Sequence, residues 1–294
     1  QFLYFIGVRS NDTMRRAVSS CIATAGRFAV AAPAQRRTIA SLVTAGLSEE
    51  QQSFVELARN FATSTFDPKA AQWDRDHIFP EEELREAAKL GFGAIYVDPE
   101  HGGTGLSRLD AALIFEQLSM ADPSTTAYIS IHNMCAWMID CFGSAELRAE
   151  LLPKLASMET FASYCLTEPS SGSDAASLKT VAKDCGDHYE VSGSKAFISG
   201  AGAAGLYLVM VRTGKEGPKG ITCLAIDKDM PGVGFGKNEL KMGWRSQPTR
   251  ILSLDQVKVP KSRVVGKEGE GFKIAMKGLD GGRINIASCS LGSA

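Results

Sequence analysis

The sequence has almost no surplus of charge and no long apolar run. Its 32 lysines and arginines are balanced by 33 aspartates and glutamates, which leaves a net charge of -1. Bulk attraction to nucleic acid or to an anionic membrane is therefore excluded, and an anionic ligand must be held by a local site. The apolar run Phe2–Val8 is far shorter than the roughly 18 uncharged residues of a membrane-spanning helix, so we expect no membrane span.

Cysteine pairs at metal-ligand spacing are also missing. The seven cysteines are scattered, form no CxxC pair and mostly have apolar neighbours. Reduced core thiols fit this pattern better than a disulfide or a metal site. The run Gly200–Gly205 has the form GxGxxG and follows a strand-like segment, but the next segment, Leu206–Arg212, is strand-like rather than helical, which disfavours a Rossmann dinucleotide fold.

Acidic residues are absent from Met14 to Gly46, where five arginines are interleaved with alanine, serine and threonine. This composition is typical of a mitochondrial transit peptide, and a disordered basic arm is the alternative. We predict that residues 1–46 comprise an upstream extension, residues 1–13, followed by a mitochondrial transit peptide, and that the mature protein lies in the mitochondrial matrix.

Residues 47–160 are predicted to form an all-α domain. Ser48 and Gln51 form a capping box ahead of apolar residues at helical spacing, and a second helix follows Pro80, with three glutamates in its first turn. Three further helices are predicted over Asp110–Met120, Thr125–Phe142 and Ala145–Leu155; the middle one is apolar all round and is expected to be buried.

Short runs of β-branched and aromatic residues, separated by turn residues, characterise residues 161–266. They predict an antiparallel β-barrel or sandwich with strands over Phe161–Thr167, His188–Ser199, Leu206–Arg212, Ile221–Asp227 and Thr249–Val257. Helical periodicity returns in residues 267–294, first over Gly271–Gly278 and again from Arg283, as the start of a C-terminal helical domain. The expected fold class is α+β.

Two segments of the β region could bind a ligand. Tyr164–Asp174 is a strand that opens into a Pro-Ser-Ser-Gly-Ser loop, whose hydroxyls and N–H groups are free for a ligand; a simple turn is the alternative. In the second segment, Phe197 and Ser199 are two positions apart and would share one face of a strand. The ring could then cover a planar cofactor while the hydroxyl bonds its edge.

Together with three further motifs, these segments resemble the acyl-CoA dehydrogenase family, from about Leu47 to the end of the sequence. The five ordered motifs are Pro99–Gly105, Tyr164–Asp174, Gly193–Ala201, Lys241–Thr249 and Leu279–Ala287. The resemblance implies an N-terminal helical domain, a middle β domain and a C-terminal helical bundle, with FAD between the middle domain and the bundle. It also implies α,β-dehydrogenation of an acyl-CoA, electron transfer to electron-transfer flavoprotein, and a homotetramer. The form of the last motif favours a short branched-chain substrate of the isobutyryl-CoA type, as in valine breakdown.

The resemblance also assigns site residues. The residues implied to lie along the flavin are Tyr164, Leu166, Thr167, Gly172, Ser173, Phe197, Ile198 and Ser199, with Ser199 near the flavin atom that receives hydride. Ser173 would also approach the acyl-CoA. The pantetheine side of the substrate would be met by Asp280, Gly281, Gly282 and Arg283, although helix capping and an ion pair are the alternative for the two charged residues.

The sequence departs from the family in two places. Ser170 stands where the motif usually has glycine, so a positive φ at this position would be strained. The family's catalytic base is a glutamate of the bundle that would lie beyond residue 294, and no carboxylate present matches it. We therefore assign no catalytic residue, interpret Glu168 as a loop or ion-pair residue, and expect the apolar residues Ile274, Met276, Ile284, Ile286 and Leu291 to lack packing partners.

Two other functions remain open. One is an acyl-CoA oxidase or flavin monooxygenase on the same fold, which passes electrons to oxygen. The other is a fragment that is inactive or impaired in FAD binding.

Overall fold

The computed structural model describes residues 46–294. The predicted transit peptide, apart from Gly46, and Cys21 lie outside these residues. Residues 58–294 form one compact unit, in which helices come first, a β-sheet second and one long helix last. This order confirms the predicted α+β class.

The helices before the sheet are α1 (Glu49–Phe61), α2 (Asp67–Asp76), α3 (Glu81–Lys89), α4 (Arg108–Ser119), α5 (Pro123–Phe142) and α6 (Ala145–Ala156). Ahead of α1, the Ser48 N–H donates to Gln51 Oε1 at 3.2 Å and the Gln51 N–H donates to Ser48 Oγ at 3.1 Å, which confirms the predicted capping box. The sequence does not predict α2 or the π-helical turn Ala62–Phe66 before it. Trp73 is the buried residue of α2, so this helix has no repeating apolar face to reveal it.

The strands are β1 (Ala162–Cys165), β2 (Val181–Asp184), β3 (His188–Ser199), β4 (Leu206–Arg212), β5 (Ile221–Asp227), β6 (Val233–Phe235), β7 (Thr249–Pro260) and β8 (Val264–Val265). The main path runs β6-β7-β3-β2-β4-β5-β8, and β1 pairs with β4. Most pairs are antiparallel, but β1 and β2 run parallel to β4. Among the described strands the sheet is sandwich-like and does not close into a barrel. The sequence misses β2, β6 and β8 because two to four residues are too few to show alternation.

A buried histidine joins the helices to the sheet. His132, on the predicted buried helix α5, donates from Nε2 to the Leu155 carbonyl at the end of α6 (2.9 Å), and its Nδ1 accepts from the N–H of Ala162 in β1 (3.0 Å). Burial lowers the pKa of His132 to about 4, so the neutral ring makes both bonds.

The last helix, α7 (Gly271–Ser293), is continuous where the sequence predicts two helical stretches. It packs against α4, α5 and β5. Ile284 and Leu291 are exposed, as expected. Ile274 is fully buried and Met276 packs against the same core, so the prediction that these two residues lack packing partners is wrong. The glycine at Gly266 leaves room for the Ile274 side chain, because a Cβ there would lie 2.6 Å from Ile274 Cδ1.

Among residues 46–294, no helix is long and apolar enough to cross a membrane. The cysteines of this range are free thiols, and within it no group of His, Cys, Asp and Glu side chains could hold a metal ion.

Candidate functional site

A cavity of about 1030 Å³ lies where α5, α7 and the sheet meet. Small-molecule sites have volumes of about 300–1,000 Å³, so this cavity has room for a large ligand or for two adjacent ones. Its wall contains every predicted site residue except Gly281, namely Tyr164, Leu166, Thr167, Gly172, Ser173, Phe197, Ile198, Ser199, Asp280, Gly282 and Arg283. Motifs that are more than 100 positions apart in sequence therefore meet at one cavity.

The first wall is β1 and the loop after it. Tyr164 lies opposite Leu208 in the parallel β1–β4 pair, and its buried hydroxyl has no hydrogen-bond partner among residues 46–294. Burial raises the pKa of this phenol well above its usual value, so the neutral O–H is available as a donor. Tyr164 lines the cavity, and a buried hydroxyl without a partner is uncommon in a folded protein.

The loop after β1 begins with a tight turn. The Glu168 N–H donates to the Ser171 carbonyl at 2.9 Å, and the Ser171 N–H donates to the Glu168 carbonyl at 3.1 Å, with Pro169 and Ser170 between them. Ser170 is not among the non-glycine residues with positive φ. The departure from glycine at this position therefore causes no backbone strain.

An ion pair fastens this loop to β3. Lys195 Nζ lies 2.8 Å from Glu168 Oε1, and both side chains are almost completely buried. Burial alone would raise the pKa of Glu168, but hydrogen bonds from Lys195 and from the N–H groups of Lys179 and Thr180 outweigh it and hold this pKa below its usual range. The interpretation of Glu168 as an ion-pair residue is confirmed.

The end of β3 forms the second wall, with a geometry that alternation does not predict. Phe197 and Ser199 both line the cavity, as expected, but Ala196 and Ile198 line it as well. The β3–β7 register shifts between Lys195 and Ile198, and Phe197 has a φ of 57°. This bulge breaks the two-residue period and leaves the Phe197 side chain 68% exposed.

Helices α5 and α7 supply an apolar wall, which the sequence analysis missed. Its residues are Ile131, Met134, Phe272, Met276, Leu279 and Ile286. Two glycines of α7 let the helices approach: a Cβ at Gly282 would lie 3.2 Å from Met134 Sδ, and one at Gly278 would lie 2.8 Å from Met138 Sδ. Helical periodicity reveals that these residues are apolar but not that they face a cavity rather than the core.

Gly281 faces away from this wall. A Cβ there would lie 2.0 Å from Arg108 Nη1, and Gly281 does not line the cavity, so its contact with a ligand stays a prediction. The Arg108 guanidinium is stacked between the rings of Tyr96 and Trp137, with Cζ 4.4 and 4.7 Å from their centroids. Gly281 therefore makes space for a structural cation–π contact.

Asp280 and Arg283 lie in the middle of α7, where the helix continues on both sides. The capping alternative for these two residues is therefore wrong. Asp174 and Asp280 are the carboxylates on the cavity wall among the described residues, and Arg283 is the cation. An anionic group of a ligand can pair with Arg283 at this end of the cavity.

Two family models cover most of this architecture. The model of the acyl-CoA dehydrogenase N-terminal domain matches residues 48–159, and that of the acyl-CoA dehydrogenase middle domain matches residues 163–257. The chain belongs to the acyl-CoA dehydrogenase family. Both of these domains contribute to the cavity, the first through α5 and the second through β1 and β3.

Individual relatives agree with the family. The chain is 58% identical over 264 residues to mitochondrial isobutyryl-CoA dehydrogenase of Dictyostelium discoideum, covering 88% of this chain and 64% of that protein. Butyryl-CoA dehydrogenase of Megasphaera elsdenii superposes with a TM-score of 0.81 at 36% identity, over 84% of this chain and 66% of that one. The structure of PigA with FAD and proline superposes with a TM-score of 0.82 at 27% identity, over 84% of this chain and 66% of PigA. The chain thus spans a little under two thirds of the length of the curated relative.

Proposed function

We propose that the protein is an FAD-dependent acyl-CoA dehydrogenase that acts on a short branched-chain acyl-CoA of the isobutyryl-CoA type. The convergence of distant motif residues on one large cavity carries this proposal. The 58% identity to an isobutyryl-CoA dehydrogenase supports the choice of acyl group.

The wall formed by β1, its loop and the end of β3 fits a flavin. It contains the Tyr164 side chain, the exposed ring of Phe197 and a glycine, Gly172, whose Cβ would meet nothing within 4 Å among the described residues. With Leu166, Thr167, Ser173, Ile198 and Ser199, these residues would hold FAD, and PigA, a relative on the same fold, carries FAD. The bound flavin supplies a two-electron acceptor for the substrate's β-hydride.

The other end of the cavity fits an acyl-CoA. Asp280, Gly282 and Arg283 would meet the polar pantetheine portion, together with Ser173 from the opposite wall. Met134 and the other apolar residues of α5 and α7 would surround the acyl group and exclude water from it.

Removal of the α-proton needs a base within hydrogen-bond reach of the substrate. Glu168 does not serve, because its carboxylate is engaged by Lys195 and by the N–H groups of Lys179 and Thr180. We assign no catalytic base among residues 46–294.

The same relationship leads us to propose electron-transfer flavoprotein as the electron acceptor, a homotetramer as the assembly, the mitochondrial matrix as the location and valine breakdown as the pathway. The mitochondrial relative supports the location.

The test is anaerobic mixing of the intact protein with isobutyryl-CoA while the visible absorbance of oxidised flavin is followed, with straight-chain butyryl-CoA as the matched substrate. We expect faster bleaching with isobutyryl-CoA and slow recovery on admission of air. Fast recovery in air would support the oxidase or monooxygenase alternative. Protein that contains FAD but is bleached by neither thioester would overturn the proposal.

A further inference from the structure

Two aromatic residues on the cavity wall share a backbone conformation that bulky side chains rarely adopt. Phe197 has a φ of 57° and Trp244 a φ of 55°. Such a conformation persists only where the surroundings fix it, and it is concentrated at ligand sites. Phe197 is already part of the proposed flavin wall. Trp244 is not one of the residues of that wall, but it lines the same cavity and is 40% exposed.

The peptide group that follows Trp244 is held at both polar atoms. Its carbonyl accepts a hydrogen bond from Lys241 Nζ at 2.6 Å, and its N–H, which belongs to Arg245, donates to Asp74 Oδ1 at 2.8 Å. The Arg245 side chain adds bonds of 2.9 and 2.7 Å to Asp74 Oδ2. Because a peptide plane fixed at both ends sets ψ of the preceding residue, these contacts orient Trp244.

Lys241 also ties this loop to the sheet. Besides the Trp244 carbonyl, its ammonium donates to the Gln247 carbonyl and to Thr249 Oγ1, both at 2.8 Å, so all three of its hydrogens are used. Thr249 is the β7 partner of Ser199 in the β3–β7 ladder. Trp244 is therefore fixed relative to the end of β3, which carries Phe197 and Ser199.

We propose that Trp244 is a ligand-contacting residue that forms, with Phe197, an aromatic wall for a planar conjugated ring system, and that Lys241 is the positioning residue that holds it there. The inference rests on the proposed function, since the planar ligand it takes is the flavin of FAD. Aromatic side chains recognise such rings by offset or edge-to-face contact, and Trp244 lines the cavity with 40% of its surface exposed.

The test uses the intact protein with the variants W244F, W244L, K241M and the double variant K241M/W244L. The matched control is K237M, which changes an exposed lysine of the same segment. Two quantities are measured: the Kd for FAD, from quenching of flavin fluorescence, and the visible absorption spectrum of the bound flavin at saturation. A purely structural role would not alter that spectrum.

We expect W244L to weaken FAD binding about tenfold, which is about 1.4 kcal/mol, and to shift the flavin band, with W244F in between. K241M should reproduce this shift, the double variant should add nothing, and K237M should behave as wild type. If W244L fails to fold, the Kd for FAD and the flavin spectrum of W244F test the proposed contact instead.

If the Trp244 variants bind FAD with the wild-type Kd and show the wild-type flavin spectrum, Trp244 does not contact the flavin. Additive effects in the double variant would overturn the positioning role of Lys241. A wild-type protein that binds no FAD would refute the proposed function itself, and is distinguishable from both results.

Discussion

Gly172 allows the candidate cavity to be tested separately from the stability of the fold. It lines the cavity, its φ lies outside the left-handed region, and a Cβ added there would meet nothing within 4 Å. An alanine methyl group would therefore enter open space in the protein without ligand, and would compete for that space with a bound one.

The two effects of Gly172→Ala have opposite signs. Replacing glycine where the backbone suits alanine stabilises a protein by about 0.4–1 kcal/mol, because the unfolded chain loses freedom. A methyl group that intrudes on the ligand should weaken FAD binding about tenfold or more, which is at least about 1.4 kcal/mol. We expect a slightly higher free energy of unfolding for the FAD-free protein and a higher Kd for FAD.

Urea unfolding of the FAD-free protein and fluorescence titration with FAD measure the two quantities. Gly236→Ala is the matched control: Gly236 lies off the cavity wall, its φ is also outside the left-handed region, and a Cβ there would make ordinary contacts of 3.4 Å or longer. Unchanged FAD affinity in Gly172→Ala would refute the placement of the flavin. A large loss of stability would show that the space around Gly172 is not open.

Three further predictions concern residues that support the cavity. Lys195→Met leaves the buried Glu168 carboxylate without its cation, so the free energy of unfolding, measured with urea, should fall by about 3 kcal/mol or more. A decrease below about 1 kcal/mol would contradict the buried ion pair. The pKa of His132 is about 4 in the folded protein against about 6.5 unfolded, so the unfolded state binds more protons between these values. Stability should therefore fall by about 2 kcal/mol from pH 7 to pH 5, and a His132→Asn variant that keeps this slope would exclude the histidine as its cause. Gly281→Ala should displace the Arg108 guanidinium from its two rings and lower the free energy of unfolding, measured by thermal unfolding, by about 1–2 kcal/mol. The same substitution should have no effect on stability in an Arg108→Ala background. A decrease that persists in that background would show that the added methyl group clashes with a residue other than Arg108.

Elements with long, regular patterns could be predicted from the sequence, and short or irregular ones could not. Helix α5, which is rich in apolar residues on every side, and the long strands β3, β4, β5 and β7 lie where periodicity places them. The short strands β2, β6 and β8 and the polar helix α2 carry no period that separates them from loops.

The candidate site shows the same division. Motif resemblance assigns ligand contacts to the β1 loop and the end of β3. It assigns none to Trp244, although this residue lies in the motif Lys241–Thr249, because the orientation of the ring depends on Lys241 and on Asp74, which is far away in the sequence. Spacing alone places Phe197 and Ser199 on one face, whereas the bulge at Phe197 also brings in Ala196 and Ile198. Gly281 is the predicted contact that does not line the cavity, since a sequence motif does not show which side of α7 its glycines face.

The most direct test of the cavity as the joint site of FAD and acyl-CoA is a crystal structure of the intact protein with FAD and a non-reactive thioether analogue of isobutyryl-CoA. We expect density for the flavin ring beside Phe197 and Ser199, and density for the analogue between Arg283 and the apolar wall at Met134. Both ligands bound elsewhere, with this cavity filled only by water, would contradict the proposed function.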